Sequence, residues 1–75
     1  MALAIEDVQS MVCLQLGIRK VSAGDRFFED LGAESADVVN LAAAAEDKYD
    51  IGFDEEEIAE VRTVQQLYDL INKLL

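Results

Sequence analysis

Asp30-Leu31-Gly32-Ala33-Glu34-Ser35-Ala36-Asp37-Val38-Val39 is the stretch whose reading decides the fold. Gly32 can close a short helical turn, and Ser35 can begin the next helix as its N-cap. In that role its hydroxyl accepts a hydrogen bond from the backbone N–H of Asp37 or Val38. Acidic residues stand on both sides of the serine. Downstream, the spacing predicts a helix over 35–49, with Val38, Leu41, Ala42, Ala45 and Tyr49 on one face and Asp37, Glu46 and Asp47 on the exposed surface. The run Ala42-Ala43-Ala44-Ala45 has high helix propensity and little bulk. Either neighbouring helices approach closely there or a space remains that a ligand can fill. If a space remains, Ala45→Leu is expected to raise thermal stability.

Upstream lies a long connection, residues 17–34. Ile18 and Val21 are expected to pin it, Ser22-Ala23-Gly24-Asp25 is turn-like, and Asp25 can cap a short turn that docks Phe27, Phe28 and Leu31 in the core. Before it, Ala2 to Leu16 reads as a helix with Ile5, Val8, Val12 and Leu16 as its apolar stripe, ended by a left-handed Gly17. Cys13 sits beside that stripe as a small core-edge hydrophobe. Beyond Tyr49, Asp50-Ile51-Gly52-Phe53 forms a turn anchored by Phe53. Asp54 and Glu57 form a capping box for a short third helix, with Ile58 and Val61 as core contacts. Thr63-Val64-Gln65-Gln66 is a capping box for a last helix carrying Val64, Leu67, Tyr68, Ile71 and Leu74. No period-two alternation appears. The expectation is an all-α fold over residues 1–75, a small four-helix bundle with three longer helices, a short third helix and a long first loop.

Composition narrows the function. The chain has 75 residues, so roughly 60% of the unfolded surface can be buried and the core must be tight. With 16 acidic and 6 basic residues the net charge is −10, which repels nucleic acid and anionic lipid and favours partners with basic patches. No apolar run approaches the ~20 residues that span a bilayer. The acidic opening Ile5-Glu6-Asp7 argues against a targeting peptide, so a cytoplasmic location is expected. The sequence has no histidine and a single cysteine. That rules out histidine acid–base chemistry, the usual zinc sites and an internal disulfide. Asp47 to Ile58 has Gly52 at the sixth place of a calcium loop. Tyr49, Ile51 and Ile58 occupy its third, fifth and twelfth places, where oxygen ligands are required, so the motif fails. A non-catalytic role is expected.

Taken alone, Ser35 is an ordinary helix cap. Its surroundings change that reading. Gly32-Ala33-Glu34-Ser35-Ala36-Asp37 resembles the phosphopantetheine attachment site of acyl carrier proteins. Phe28-Glu29-Asp30-Leu31-Gly32 is similar to that family's approach to the site. Tyr49-Asp50, Phe53 and Glu55-Glu56-Glu57 resemble its second-helix end and acidic third helix, and Thr63-Val64-Gln65 resembles the opening of its fourth. The resemblance covers nearly the whole chain. It implies that a phosphopantetheinyl transferase, using coenzyme A and Mg²⁺, attaches 4′-phosphopantetheine to Ser35 Oγ. The arm would then carry acyl intermediates as thioesters for fatty-acid, lipid or polyketide biosynthesis. It further implies a monomer whose partner enzymes meet Glu34, Ala36, Asp37, Asn40, Glu46, Asp47, Glu55 and Glu56 through basic patches.

Three positions depart from the family's pattern. Its usual Asp-Ser-Leu is here Glu34-Ser35-Ala36, which removes an apolar anchor. Asn40 stands where another acid is common, and the alanine run replaces larger cavity-lining side chains. These departures favour a specialised carrier with restricted partners or an unusual cargo. The alternatives are a carrier of aminoacyl or peptidyl groups, including D-alanyl groups, and a non-covalent acidic helical adaptor in which Ser35 is only a cap.

Overall fold

Apolar periodicity and capping chemistry produce four helices, α1 (Ile5–Leu16), α2 (Ser35–Tyr49), α3 (Glu55–Glu60) and α4 (Val64–Leu74), in a computed structural model that describes residues 3–75. The expected all-α bundle is observed. Its third helix is short, and a long loop joins α1 to α2. Helix α1 packs against both α2 and α4. The fully buried centre includes Phe27, Leu41, Leu67 and Ile71, with Val8, Val12 and Val64 between them. Each such side chain contributes about 1.5–3 kcal/mol of burial, the main force holding so small a fold together.

Helix α1 begins later than its sequence suggests. Ala2, the expected start, lies outside the described residues, and Leu3 and Ala4 precede the helix. Ala4 takes an extended N-cap conformation and has no capping side chain. Met11 joins Val8 and Val12 on the buried face, while Ile5 is only half-buried. The face is wider than the expected stripe because α1 meets two helices rather than one. Gly17 ends α1 with φ 67°, and the Ile18 N–H donates to the Cys13 carbonyl at 3.0 Å. That left-handed conformation is open to glycine without steric cost.

The first loop is laced to the α3–α4 junction by main-chain bonds. Phe27 N–H donates to Arg62 O at 2.9 Å, Val64 N–H to Asp25 O at 3.1 Å and Gln65 N–H to Ala23 O at 2.8 Å. An antiparallel bridge pairs Arg26 with Thr63. These bonds hold Phe27 in the core, and Val21 is buried nearby. Two expectations need correction. Asp25 caps no helical turn: its carboxylate folds back to accept the Ser22 N–H at 2.7 Å. Asp30 organises the next turn, accepting the Arg26 N–H at 2.8 Å. Phe28 does not enter the core with Phe27 but remains 46% exposed. Its neighbour already fills the inward position, and the turn directs Phe28 to the other side.

The caps of α3 and α4 form as read. The Asp54 N–H donates to Glu57 Oε1 at 3.0 Å at the head of α3. In α4, Thr63 Oγ1 accepts the Gln66 N–H at 3.1 Å, and Gln66 Oε1 accepts the Thr63 N–H at 3.1 Å. The Tyr68 hydroxyl donates to the Leu3 carbonyl at 2.7 Å and ties the start of the chain to α4. The Tyr49 hydroxyl, at the end of α2, is buried without a hydrogen-bond partner among the described residues.

Candidate functional site: the head of α2 and the groove beside it

The first turn of α2 is arranged differently from the simple serine cap. Ser35 is the first helical residue, and Glu34, in an extended conformation, is the N-cap. Asp37 Oδ2 accepts the Glu34 N–H at 2.9 Å, while the Glu34 carbonyl accepts the Asp37 N–H at 3.0 Å and the Val38 N–H at 3.2 Å. Glu34 and Asp37 thus close the helix start between them. Ser35 is exposed, and none of the side-chain hydrogen bonds among the described residues engages its hydroxyl. The early N–H groups of a helix and its dipole favour an anion at such a position.

The approach to Ser35 is held from the other side. Gly32 takes φ 66°, and the Ala33 N–H donates to the Phe27 carbonyl at 2.9 Å. Asp30 grips Arg26 through Nε at 3.0 Å and Nη2 at 3.1 Å, and Glu29 adds a contact at 3.3 Å. The side-chain hydrogen bond from Arg26 is the main cause holding the Asp30 carboxyl below the usual carboxylate range, and it raises Arg26 in turn. The cluster is solvated, so its electrostatic weight is small.

Between α2 and α3 runs a groove of about 580 Å³. Ser35 stands at one end, and successive turns of α2 contribute Val38 and Val39, then Ala42 and Ala43, then Glu46. At 1.5 Å per residue, Ser35 and Glu46 are separated by about 16 Å along the helix axis. Phe28, Phe53 and Ile58 line it from the loops and α3. The alanine run therefore has two functions. Ala42 and Ala43 leave room for the groove, whereas Ala45 is fully buried in the core and lies outside it. Both alternatives left open by the sequence are realised, one on each side of the helix.

The residues expected to meet partners are dispersed. Glu34, Ala36 and Asp37 surround Ser35 in the first turn, and Glu46 and Glu55 share its groove. Asp47 lies on another side of α2, with Lys48 beside Met11 and Leu14 of α1. Asn40 and Glu56 are exposed and line none of the groove. The Glu46 carboxylate is already committed, accepting the Phe53 N–H at 2.8 Å. Sequence reasoning missed Phe28 and Phe53 as groove walls. The available signal was two adjacent phenylalanines, Phe27 and Phe28, of which a small core takes one.

The structure is a small acidic helical bundle with an accessible serine at the head of its second helix, opening on an apolar groove. Residues 6–71 match the family model described as the phosphopantetheine attachment site. The chain belongs to the acyl carrier protein family, whose cofactor is 4′-phosphopantetheine. It is 39% identical over 71 residues to an acyl carrier protein of Akkermansia muciniphila, covering 92% of this chain and 89% of that one. It is also similar to the crystal structure of an acyl carrier protein from Thermotoga maritima, with TM-score 0.79 and 29% identity over 93% of this chain and 84% of that one. A candidate acyl carrier protein from Mycobacterium tuberculosis shares the fold, with TM-score 0.82 over 87% of this chain and 89% of that one at 24% identity. Members of the family serve as carriers, and their partners in general are phosphopantetheinyl transferases and acyl-handling enzymes. Among the described residues, no helix is long and apolar enough to cross a membrane.

Proposed function

We propose that this chain is a single carrier domain, a cytoplasmic monomer without catalysis of its own, that bears 4′-phosphopantetheine on Ser35 Oγ and carries acyl intermediates in fatty-acid, lipid or polyketide biosynthesis. The observation that carries the reading is the exposed Ser35 hydroxyl, relieved of capping by Glu34 and Asp37, at the mouth of an apolar groove. Ser35 Oγ attacks the coenzyme A phosphorus that bears the pantetheine arm; the phosphodiester forms as the pyrophosphate P–O bond breaks and adenosine 3′,5′-bisphosphate leaves. The serine hydroxyl has no hydrogen-bonded base among the described residues, so its proton passes to a group on the transferase. The head of α2 then favours the resulting anion through its free N–H groups and dipole. When bound, the arm supplies a terminal thiol for thioester linkage. The groove offers apolar walls, which suit an alkyl or aryl acyl group better than a charged aminoacyl group. Glu34, Asp37, Glu55 and Glu56 present carboxylates around the site, and Ala36 and Asn40 leave it less adhesive. Exposed ion pairs are worth ~0–1 kcal/mol each, so this surface acts by steering and fast exchange.

Intact-mass spectrometry tests the reading. Incubation with coenzyme A, Mg²⁺ and a permissive transferase is expected to add the mass of one phosphopantetheine, and Ser35→Ala to abolish the addition. Wild-type protein that stays unmodified with several transferases would refute it.

A further inference from the structure

In the α2–α3 groove, away from Ser35, one side chain ties α2 to the segment that follows it. Glu46 receives three backbone N–H groups from the segment that follows α2. Its carbonyl accepts from Asp50 and, at 3.2 Å, from Ile51, and its carboxylate accepts from Phe53 at 2.8 Å. The first two bonds end the helix, with Asp50 in the left-handed conformation at φ 53°. The third is different in kind. It reaches seven residues along the chain, is partly buried, and joins two residues that both line the groove. A charged acceptor makes this stronger than a neutral peptide bond would be.

Because Ser35 lines the opposite end of the same groove, a phosphopantetheine arm laid along it would bring its thiol, and the acyl group on it, to the Glu46–Phe53 contact. We infer that Glu46 is a positioning residue: its carboxylate holds Phe53 as the end wall of the groove and so sets the size of the acyl group this carrier shelters. The inference rests on the reading of Ser35 as the attachment point. Phe53 contacts the cargo, and Glu46 acts through Phe53. The partial burial of Glu46 and the commitment of its carboxylate to an N–H also assign it to this internal role rather than to the partner-facing surface.

The experiment has two parts. Amide hydrogen exchange of Phe53 in the unmodified protein tests the clamp without any cofactor. Glu46→Ala is expected to speed that exchange by roughly tenfold or more, while Glu46→Gln, whose side-chain carbonyl can still accept, retains most of the protection. Equal exchange in wild type and Glu46→Ala overturns the clamp. In the second part, wild type, Glu46→Ala and Phe53→Ala are each loaded with straight-chain acyl-phosphopantetheine groups of graded length, and the rise in melting temperature is followed against length. The wild-type rise should peak and decline, and both variants should shift the peak to longer chains. An unshifted peak in both overturns the role in cargo size. Failure of the wild type to load at all refutes the Ser35 reading and the cargo role with it, and the exchange result still decides the clamp.

Discussion

Tyr49→Phe should make the protein more stable by removing one atom. The Tyr49 hydroxyl is buried without a partner among the described residues, although the ring packs against the core. Leaving a buried polar group unsatisfied costs about 1–3 kcal/mol, and the phenylalanine ring keeps nearly all of the packing. The small void left by the oxygen offsets part of that gain, so the expected net effect is about 1 kcal/mol of stabilisation. For a domain of this size, that corresponds to a rise of about 4–8 °C in melting temperature. Tyr68→Phe is the matched control. It loses a hydroxyl that donates to the Leu3 carbonyl at 2.7 Å, and is expected to cost about 1 kcal/mol. Paired thermal and urea melts followed by circular dichroism would report both changes. A melting temperature lowered by Tyr49→Phe refutes the reasoning, because the hydroxyl would then have a partner worth more than its desolvation.

Other perturbations probe separate links between sequence and fold. Ala45→Leu is expected to destabilise by about 1–3 kcal/mol through overpacking, since Ala45 is fully buried away from the groove; urea titration checks this. Phe27→Ala should cost about 3–5 kcal/mol, enough to unfold a marginal domain, as read by loss of the cooperative transition. Thr63→Ala is expected to cost about 1 kcal/mol by removing the α4 cap, measured in the same titration. The Asp30–Arg26 contact makes the turn before the site acid-sensitive. With the folded carboxyl pKa lowered, its stabilisation is complete above the unfolded value and is lost as pH falls through the folded one. The Asp30 carboxyl is therefore expected to titrate, by NMR, at lower pH than in the unfolded chain, with the Arg26 amide following it.

Local chemistry made most of the fold legible. Gly17 as a left-handed stop, Asp54 with Glu57, and Thr63 with Gln66 each act within a few residues, so sequence spacing identifies them. The errors came where the deciding partner is distant or the choice lies between neighbours. Nothing near Arg26 announces a bridge to Thr63, yet that pairing directs Phe27 inward and leaves Phe28 beside the site. Asp25 reads as the cap by local spacing, but tertiary placement of the loop gives the organising role in that turn to Asp30. At the site itself, serine is the favoured capping residue, and so it concealed the pair that does the capping. The groove was half legible: the alanine run pointed to missing bulk, but which alanines face α3 depends on where α1 and α3 sit.

Because Glu34 and Asp37 secure the head of α2, the helix does not draw on the Ser35 hydroxyl for its stability. Esterifying that oxygen leaves every capping hydrogen bond in place. The capping of α2 is thus independent of whether that oxygen is free or esterified. On the proposed attachment at Ser35, the arm would therefore be added to, or removed from, a helix whose start is already closed by Glu34 and Asp37.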